Sequence, residues 1–303
     1  MIRLANNVET KYFVASGALA FDGRGWWWER MMCSLGMISK VSDKVVVILK
    51  TLTRKPRVGN LRMLSPWNSV RRLNCYGADV TFSPRRWKDS DGFLNAIEFT
   101  NPGLDDWMRE SLAVIEGSKV KVVVSIMPDD ANDSHFMVDV LNSLGAKNVC
   151  GIEVKIGCQD YGSDTGRDIS KAVEIARSAI RNSKLPIILK LGYDNDYLEI
   201  LERLRGEPLI VDIIDAVRYR TMYPQCHSPF VFFGGGGVSG PAIEPYRNEV
   251  YSKIRNVALN FPIILGGGIH DADSVLRAWA QKPDAISIGS VLITDPNFLS
   301  TLE

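Results

Sequence analysis

Eight short apolar runs recur along this 303-residue chain, and they restrict its possible folds more than any other feature. They are Tyr12–Ser16, Val45–Lys50, Val120–Met127, Ile152–Ile156, Pro186–Leu191, Val211–Val217, Pro262–Gly266 and Ala285–Ile288. Most are continuous and β-branched rather than alternating, the pattern of parallel strands covered on both faces. Segments of helical period separate them. Asp105–Glu116 stops at Gly117, and Asn132–Leu144 stops at Gly145, where glycine can close a helix. Ile169–Lys184 keeps Ile169, Ala172, Val173, Ala176, Ala179 and Ile180 on one face, and Asp271 is placed to cap Ala272–Gln281. Alternation of strand and helix predicts an α/β chain with a parallel sheet, and the count predicts closure into a (β/α)8 TIM barrel. Such a barrel takes about 250 residues, which leaves room for an insertion. Residues 51–119 exceed one crossover helix, so a hairpin from Trp67 to Gly92 is expected over the barrel mouth. No repeat or linker divides the chain, and a single domain over 1–303 is expected.

Composition excludes several classes. A hydrophobic content of 46%, a charged content of 23% and a net charge of +1 give no reason to expect a nucleic-acid or membrane partner. The insertion does mix Arg71, Arg72, Arg85, Arg86 and Lys88 with Trp67, Tyr76, Phe82 and Trp87. In a neutral chain that mix reads as a solvated hairpin or a subunit contact rather than a nucleic-acid face. No run reaches membrane-span length, and no basic n-region precedes an apolar h-region, so a cytoplasmic protein is expected. The five cysteines, at 33, 75, 150, 158 and 226, form no CxxC, as expected of reduced thiols. No histidine-based ligand motif is present, so no metal site is expected. His135 reads as a helix-surface residue, whereas His227 and His270 fall in mouth loops. Arg218–Phe233 reads as a mobile lid.

Glycines mark where chemistry is expected. Phe233-Gly-Gly-Gly-Gly-Val-Ser-Gly240, Pro262-Ile-Ile-Leu-Gly-Gly-Gly-Ile269 and Ile286-Ser-Ile-Gly-Ser290 follow one another. The last two read as buried strands stopping at glycines, where backbone N–H groups and a following helix can grip a phosphate. Lys50 and Lys190 each close an apolar strand. A lysine there points into a barrel mouth, where it can form a Schiff base, neutralise a developing anion, or pair with a rim carboxylate. Lys155 and Cys158 end the fourth strand. A thiol beside an ammonium can be a base or nucleophile, or an inert packing group.

Together these residues resemble the class 1 dihydroorotate dehydrogenases, FMN-dependent (β/α)8 barrels. Ala15-Ser-Gly-Ala18 resembles the family's opening flavin turn. Lys50-Thr-Leu-Thr53 with Pro56-Arg-Val-Gly-Asn60 resembles its Lys-Thr-x-Thr and Pro-Arg-x-Gly-Asn signature. Asn95-Ala-Ile97 and Asn101-Pro-Gly103 resemble its Asn-Ala-Ile-Gly-Leu-x-Asn-Pro-Gly. Gly236–Ile243, Gly267-Gly-Ile269 and Gly289-Ser290 resemble its phosphate loops. The resemblance implies bound FMN contacted by Ala15, Ser16, Gly17, Lys50, Thr51, Lys190, Gly240, Gly267, Gly268, Gly289 and Ser290. It implies that Lys190 lies near flavin N1 and O2. Cys158 would be the catalytic base, with Lys50 beside the flavin.

Glu153-Val-Lys-Ile-Gly-Cys-Gln-Asp160 stands where the family has Glu-Leu-Asn followed by Ser-Cys-Pro-Asn. The family's ring-binding asparagines therefore fall on Lys155, Asp160 and Arg218, only Asn95 keeps its amide, and Glu98 replaces a glycine. Exchanging two-way amides for fixed charges changes recognition, not fold. The expectation is an FMN oxidoreductase acting on a C–C bond of a small anionic substrate, with Asn95, Lys155, Asp160 and Arg218 on the substrate side. A true dihydroorotate dehydrogenase of pyrimidine biosynthesis, a flavin-free phosphate-binding lyase or aldolase, and a non-catalytic barrel are the rivals. The resemblance also implies a homodimer, and use of NAD would need an electron-transfer partner subunit.

Overall fold

The computed structural model describes residues 1–39, 41–42, 44–61, 68–84, 86–156, 168–257 and 259–302. In chain order the elements are β1 (Ile2–Arg3), β2 (Glu9–Thr10), β3 (Tyr12–Val14), α1 (Trp27–Ser34), β4 (Val45–Ile48), β5 (Val70–Leu73) and β6 (Gly92–Asn95). Next come α2 (Leu104–Glu116), β7 (Lys121–Ile126), α3 (Ala131–Ser143), β8 (Val149–Lys155), α4 (Ile169–Asn182), β9 (Ile187–Leu191), α5 (Tyr197–Arg203) and β10 (Leu209–Ile213). The chain ends with β11 (Val217–Arg218), α6 (Tyr219–Met222), β12 (Gly237–Ser239), α7 (Glu244–Asn256), β13 (Ile263–Gly266), α8 (Ala272–Ala280) and β14 (Ala285–Ile288).

Eight parallel strands close the expected barrel in the order β3-β4-β7-β8-β9-β10-β13-β14. Alternation along each strand divides the residues between two cores. Phe13, Val46, Ile48, Val123, Cys150, Ile188, Ile210, Ile264 and Ala285 fill the barrel interior. Neighbours such as Val45, Val47, Val122, Val124, Leu189 and Leu265 face the helices. The β1–β2 hairpin, which the sequence pattern does not reveal, adds Ile2 and Leu4 to the interior cluster.

The long insertion forms a hairpin, as expected, but it does not stand alone. β5 and β6 pair antiparallel, β12 adds to β6, and β11 adds to β12. Gly237–Ser239 of the glycine run and Arg218, the first residue of the expected lid, therefore lie in the same four-stranded sheet, while Tyr219–Met222 of that lid form α6. This corrects the expected strand Val211–Val217: the barrel strand stops at Ile213, and Val217 belongs to the second sheet. The apolar run continues through Ile214 and Val217, so hydrophobicity alone does not reveal the change of sheet. Two of the insertion's basic residues hold this sheet, while Arg86 and Lys88 are exposed. Arg72 is buried and donates to Val80 O at 2.7 Å and Ser83 O at 3.1 Å, while Arg71 pairs with Asp79 at 3.0 Å. Trp67 and Arg85 lie outside the described residues.

Candidate active site

The interior rows that supply apolar side chains deeper in the barrel change character two residues later. Ile48 is followed on its row by Lys50, Val123 by Ser125, Ile188 by Lys190, Ile210 by Asp212, Ile264 by Gly266 and Ala285 by Ser287. A period of two thus puts one polar layer at the C-terminal ends of the strands, the end where barrel active sites lie. A cleft of about 460 Å³ at the opposite end, beside Pro186, Leu209 and Pro262, has no such layer.

Lys190 is almost fully buried, and its Nζ donates to Asp212 Oδ2 at 2.6 Å. Burial works against the Lys190 ammonium, but Asp212, Glu153 and Asp215 outweigh it and hold the group charged. Ser125 Oγ donates to Glu153 Oε1 at 2.6 Å, and the chain of hydroxyls continues through Thr51 Oγ1 at 3.0 Å to Ser16 Oγ at 3.1 Å. Lys155, at the end of β8, forms an ion pair with Asp215, just beyond β10. Burial disfavours the Asp215 carboxylate, yet Lys155, Lys190 and Lys50 together hold its carboxyl below the usual range. Lys155 thus contacts this carboxylate directly, and the charges of Lys190 and Lys50 add to its stabilisation.

Lys50 lies two residues past β4 and donates from Nζ to Glu98 O at 3.3 Å. Glu98 has φ +56, a left-handed conformation in which glycine carries no Cβ penalty. Burial raises the Glu98 carboxyl, with Arg57 pulling it back. Asn101 ties the two motif loops together: its Oδ1 accepts from Thr53 N at 3.2 Å and Gly103 N at 2.8 Å. Asn95 Nδ2 donates to Gly237 O at 3.3 Å. Arg218 lies on β11, where its N–H donates to Asp194 at 3.2 Å and its buried Nε has no hydrogen-bond partner. Cys158 and Asp160 lie outside the described residues.

The glycine loops make a cradle. Gly267 and Gly268 have φ +91 and +76, and a Cβ on Gly268 would sit 2.7 Å from Glu244 Cα. A Cβ on Gly289 would meet that of Ala15 at 3.1 Å. Among the described residues, no backbone acceptor takes the N–H of Gly267, Gly268, Gly289 or Ser290. Arg247, buried behind this loop, donates to Gly267 O at 2.8 Å, and the Nδ1 of His270 lies 2.7 Å from Gly268 O. Free amides on loops that exclude side chains suit a phosphate group, so the residues present fit the FMN phosphate. The bound group would lie between this cradle and the lysines across the mouth.

Sequence reasoning missed Glu153, Asp212, Asp215 and Ser125. Their signal is a polar residue within, or just behind, an apolar strand, where an unpaired group is costly.

The family model for dihydroorotate dehydrogenase matches residues 32–301. A dihydroorotate dehydrogenase B (NAD(+)) catalytic subunit of Halalkalibacterium halodurans is 29% identical over 227 residues, covering 73% of each chain. The subunit of the same name from Malacoplasma penetrans is 27% identical over 71% of each chain. That of Listeria welshimeri is 26% identical over 82% of this chain and 76% of its own. With the barrel, the glycine cradle and the strand-end lysines in place, these matches establish that the chain belongs to the dihydroorotate dehydrogenase family of FMN-dependent oxidoreductases.

Proposed function

We propose that this protein oxidises a CH–CH bond of a small anionic substrate, using FMN seated between the glycine cradle and the lysines of the barrel mouth. The observation that carries the reading is the set of held lysines at the C-terminal ends of the barrel strands, Lys155 paired with Asp215, Lys190 with Asp212 and Lys50 with Glu98 O, together with the glycine cradle. FMN, when bound, supplies a hydride acceptor. Gly240, Gly267, Gly268, Gly289 and Ser290 hold its phosphate, while Ala15, Ser16, Gly17 and Thr51 border its ring. Lys190, held by Asp212, and Lys50, held by Glu98 O, present positive charge to it. Cys158 takes the substrate proton. Asn95, Lys155, Asp160 and Arg218 form the substrate side, with Asp215 fixing the Lys155 ammonium.

The relatives' names favour a second reading, in which dihydroorotate itself is the substrate. Against it stands Lys155, paired with Asp215, a fixed cation at a position where the family resemblance has a ring-binding amide. The relatives are named as catalytic subunits of NAD(+)-linked enzymes. A separate electron-transfer subunit accordingly belongs to the reading for this chain, to which we add homodimeric assembly and a cytoplasmic setting as proposals of our own. No helix among the described residues is long and apolar enough to cross a membrane.

Anaerobic addition of dihydroorotate to the FMN-loaded protein tests the reading. Slow bleaching of the flavin is expected, faster in the double variant Lys155→Asn, Asp215→Asn. Rapid bleaching of the parent at micromolar dihydroorotate establishes the second reading, and failure to bind FMN refutes both. Cys158→Ala should keep FMN and slow reduction by the best substrate about 10²–10⁴-fold, the usual contribution of a general base.

A further inference from the structure

Glu153 on β8 and Asp212 on β10 both bring a carboxyl group into the buried interior of the barrel. Both are fully buried. Each has one oxygen satisfied: Glu153 Oε1 accepts from Ser125 Oγ at 2.6 Å, and Asp212 Oδ2 accepts from Lys190 Nζ at 2.6 Å. The other oxygens, Glu153 Oε2 and Asp212 Oδ1, are buried without a donor, and the two groups lie close enough for each to act on the other's charge. Two ionised carboxylates placed this way repel, and each leaves an acceptor desolvated. A single proton between them removes both defects.

Charge balance gives the same answer. Lys190 is the cation paired with Asp212, and its single charge neutralises one carboxylate, not two. Asp215, the next acidic group, is already paired with Lys155, and Ser125 is neutral. Burial raises the Asp212 carboxyl, but the Lys190 ammonium it holds at 2.6 Å opposes this, and the charged form of the pair belongs to the oxygen in direct contact with that cation. Glu153 faces a hydroxyl on one side and Asp212 on the other, so the proton belongs to Glu153. Burial pushes the Glu153 carboxyl up to about 8, against the opposing pull of Lys190.

We infer that Glu153 is a carboxylic acid that donates to Asp212 Oδ1, and that this shared proton positions Lys190 as the cation at the flavin's edge. The second half rests on the functional reading above, in which Lys190 faces FMN. Glu153 is then a positioning residue, acting through Asp212 and Lys190. The direction of the hydroxyl chain follows as well. Ser125 gives its proton to Glu153, so Thr51 donates to Ser125. The polar layer is thus ordered from Lys190 across the barrel to Thr51.

Two measurements test this. The first is infrared spectroscopy of the whole protein with isotope-labelled glutamate, with and without FMN. A protonated glutamate carbonyl band is expected at about pH 6–7, fading as pH passes about 8, and missing in Glu153→Gln. The second is the midpoint potential of bound FMN as a function of pH. In Glu153→Gln the new side-chain amide can donate to Asp212 and accept from Ser125 as the acid does. The parent and Glu153→Gln should therefore superimpose at about pH 6 and separate above about pH 8, where only the parent gains a charge. Absence of the band at neutral pH overturns the inference, as does an equal displacement of potential at about pH 6 and about pH 9.5. Failure to bind FMN counts against the functional reading, and the infrared measurement on flavin-free protein still decides the proton. If Glu153→Gln does not fold, the labelled parent alone decides it.

Discussion

Gly268 offers a direct test of the phosphate cradle, because strain and contact can be separated with a second glycine. Gly268 has φ +76, and an added Cβ would lie 2.7 Å from both Cα and Cβ of Glu244 and 2.9 Å from its backbone nitrogen. Gly145, just after α3, has φ +59 with nothing within 4 Å of an added Cβ. Placing an L-residue in the left-handed region costs roughly 1–2 kcal/mol. Forcing packed backbone apart adds about 1–3 kcal/mol. Gly145→Ala should therefore lose about 1–2 kcal/mol and Gly268→Ala about 2–5 kcal/mol, read as a shift in urea midpoint at constant slope. The greater effect should reach the cofactor. Moving Glu244 disturbs its contacts with Arg247 at 3.2 Å and Arg277 at 2.8 Å, and Arg247 in turn holds Gly267 O at 2.8 Å. Gly268→Ala should release FMN on dialysis, while Gly145→Ala retains it. Equal stability losses in the two variants, or full FMN retention by Gly268→Ala, would refute the close approach at this loop.

Other tests concern the buried polar layer and the thiols. The Glu153 carboxyl moves from 4.5 when unfolded to about 8 when folded. Its contribution to stability is therefore fully present below the unfolded value and lost as pH rises through about 8, so thermal unfolding should show that decline in the parent and not in Glu153→Gln. Lys190→Met leaves Asp212 without its paired cation and should cost about 3–5 kcal/mol in urea unfolding, with a second change, Asp212→Asn, recovering part of the loss. No recovery would argue against the pair acting as a unit. Burial pushes the Cys150 thiol up to about 12, and its Sγ donates to Val122 O at 3.2 Å. Iodoacetamide should thus modify the exposed Cys75 and Cys226 in the native protein and spare Cys150 until unfolding, as judged by peptide mass spectrometry.

Barrel strands were legible in the sequence because burial on both faces leaves near-continuous apolar runs, as in Val45–Ile48 and Ile187–Leu191. The same continuity hid the change of sheet between Ile213 and Val217. Two-residue strands such as Ile2–Arg3 and Glu9–Thr10 are too short for any period to register. At the site, the lysines stood out because each closes an apolar strand. Their counter-charges did not. Asp212 sits inside a strand, where one polar letter among Leu, Ile and Val reads as noise, and Asp215 follows the strand's end. Pairing Lys155 with Asp215 needs the closure of β8, β9 and β10 side by side, which residue spacing along the chain does not encode.

The four-stranded sheet beside the barrel also bears on the order of assembly. Its central pairing joins Asn95 to Gly237, 142 residues apart, with four barrel strands in the intervening chain. In a free chain, closing so long a loop for the sake of three residue pairs is entropically unfavourable. Once β7 to β10 have docked, the same two segments are brought near each other and the remaining search is local. The sheet is therefore a late-forming element, completed after the barrel it adjoins. A truncation or permutation that opens the barrel between β7 and β10 should abolish this sheet even though all four of its strands remain in the chain.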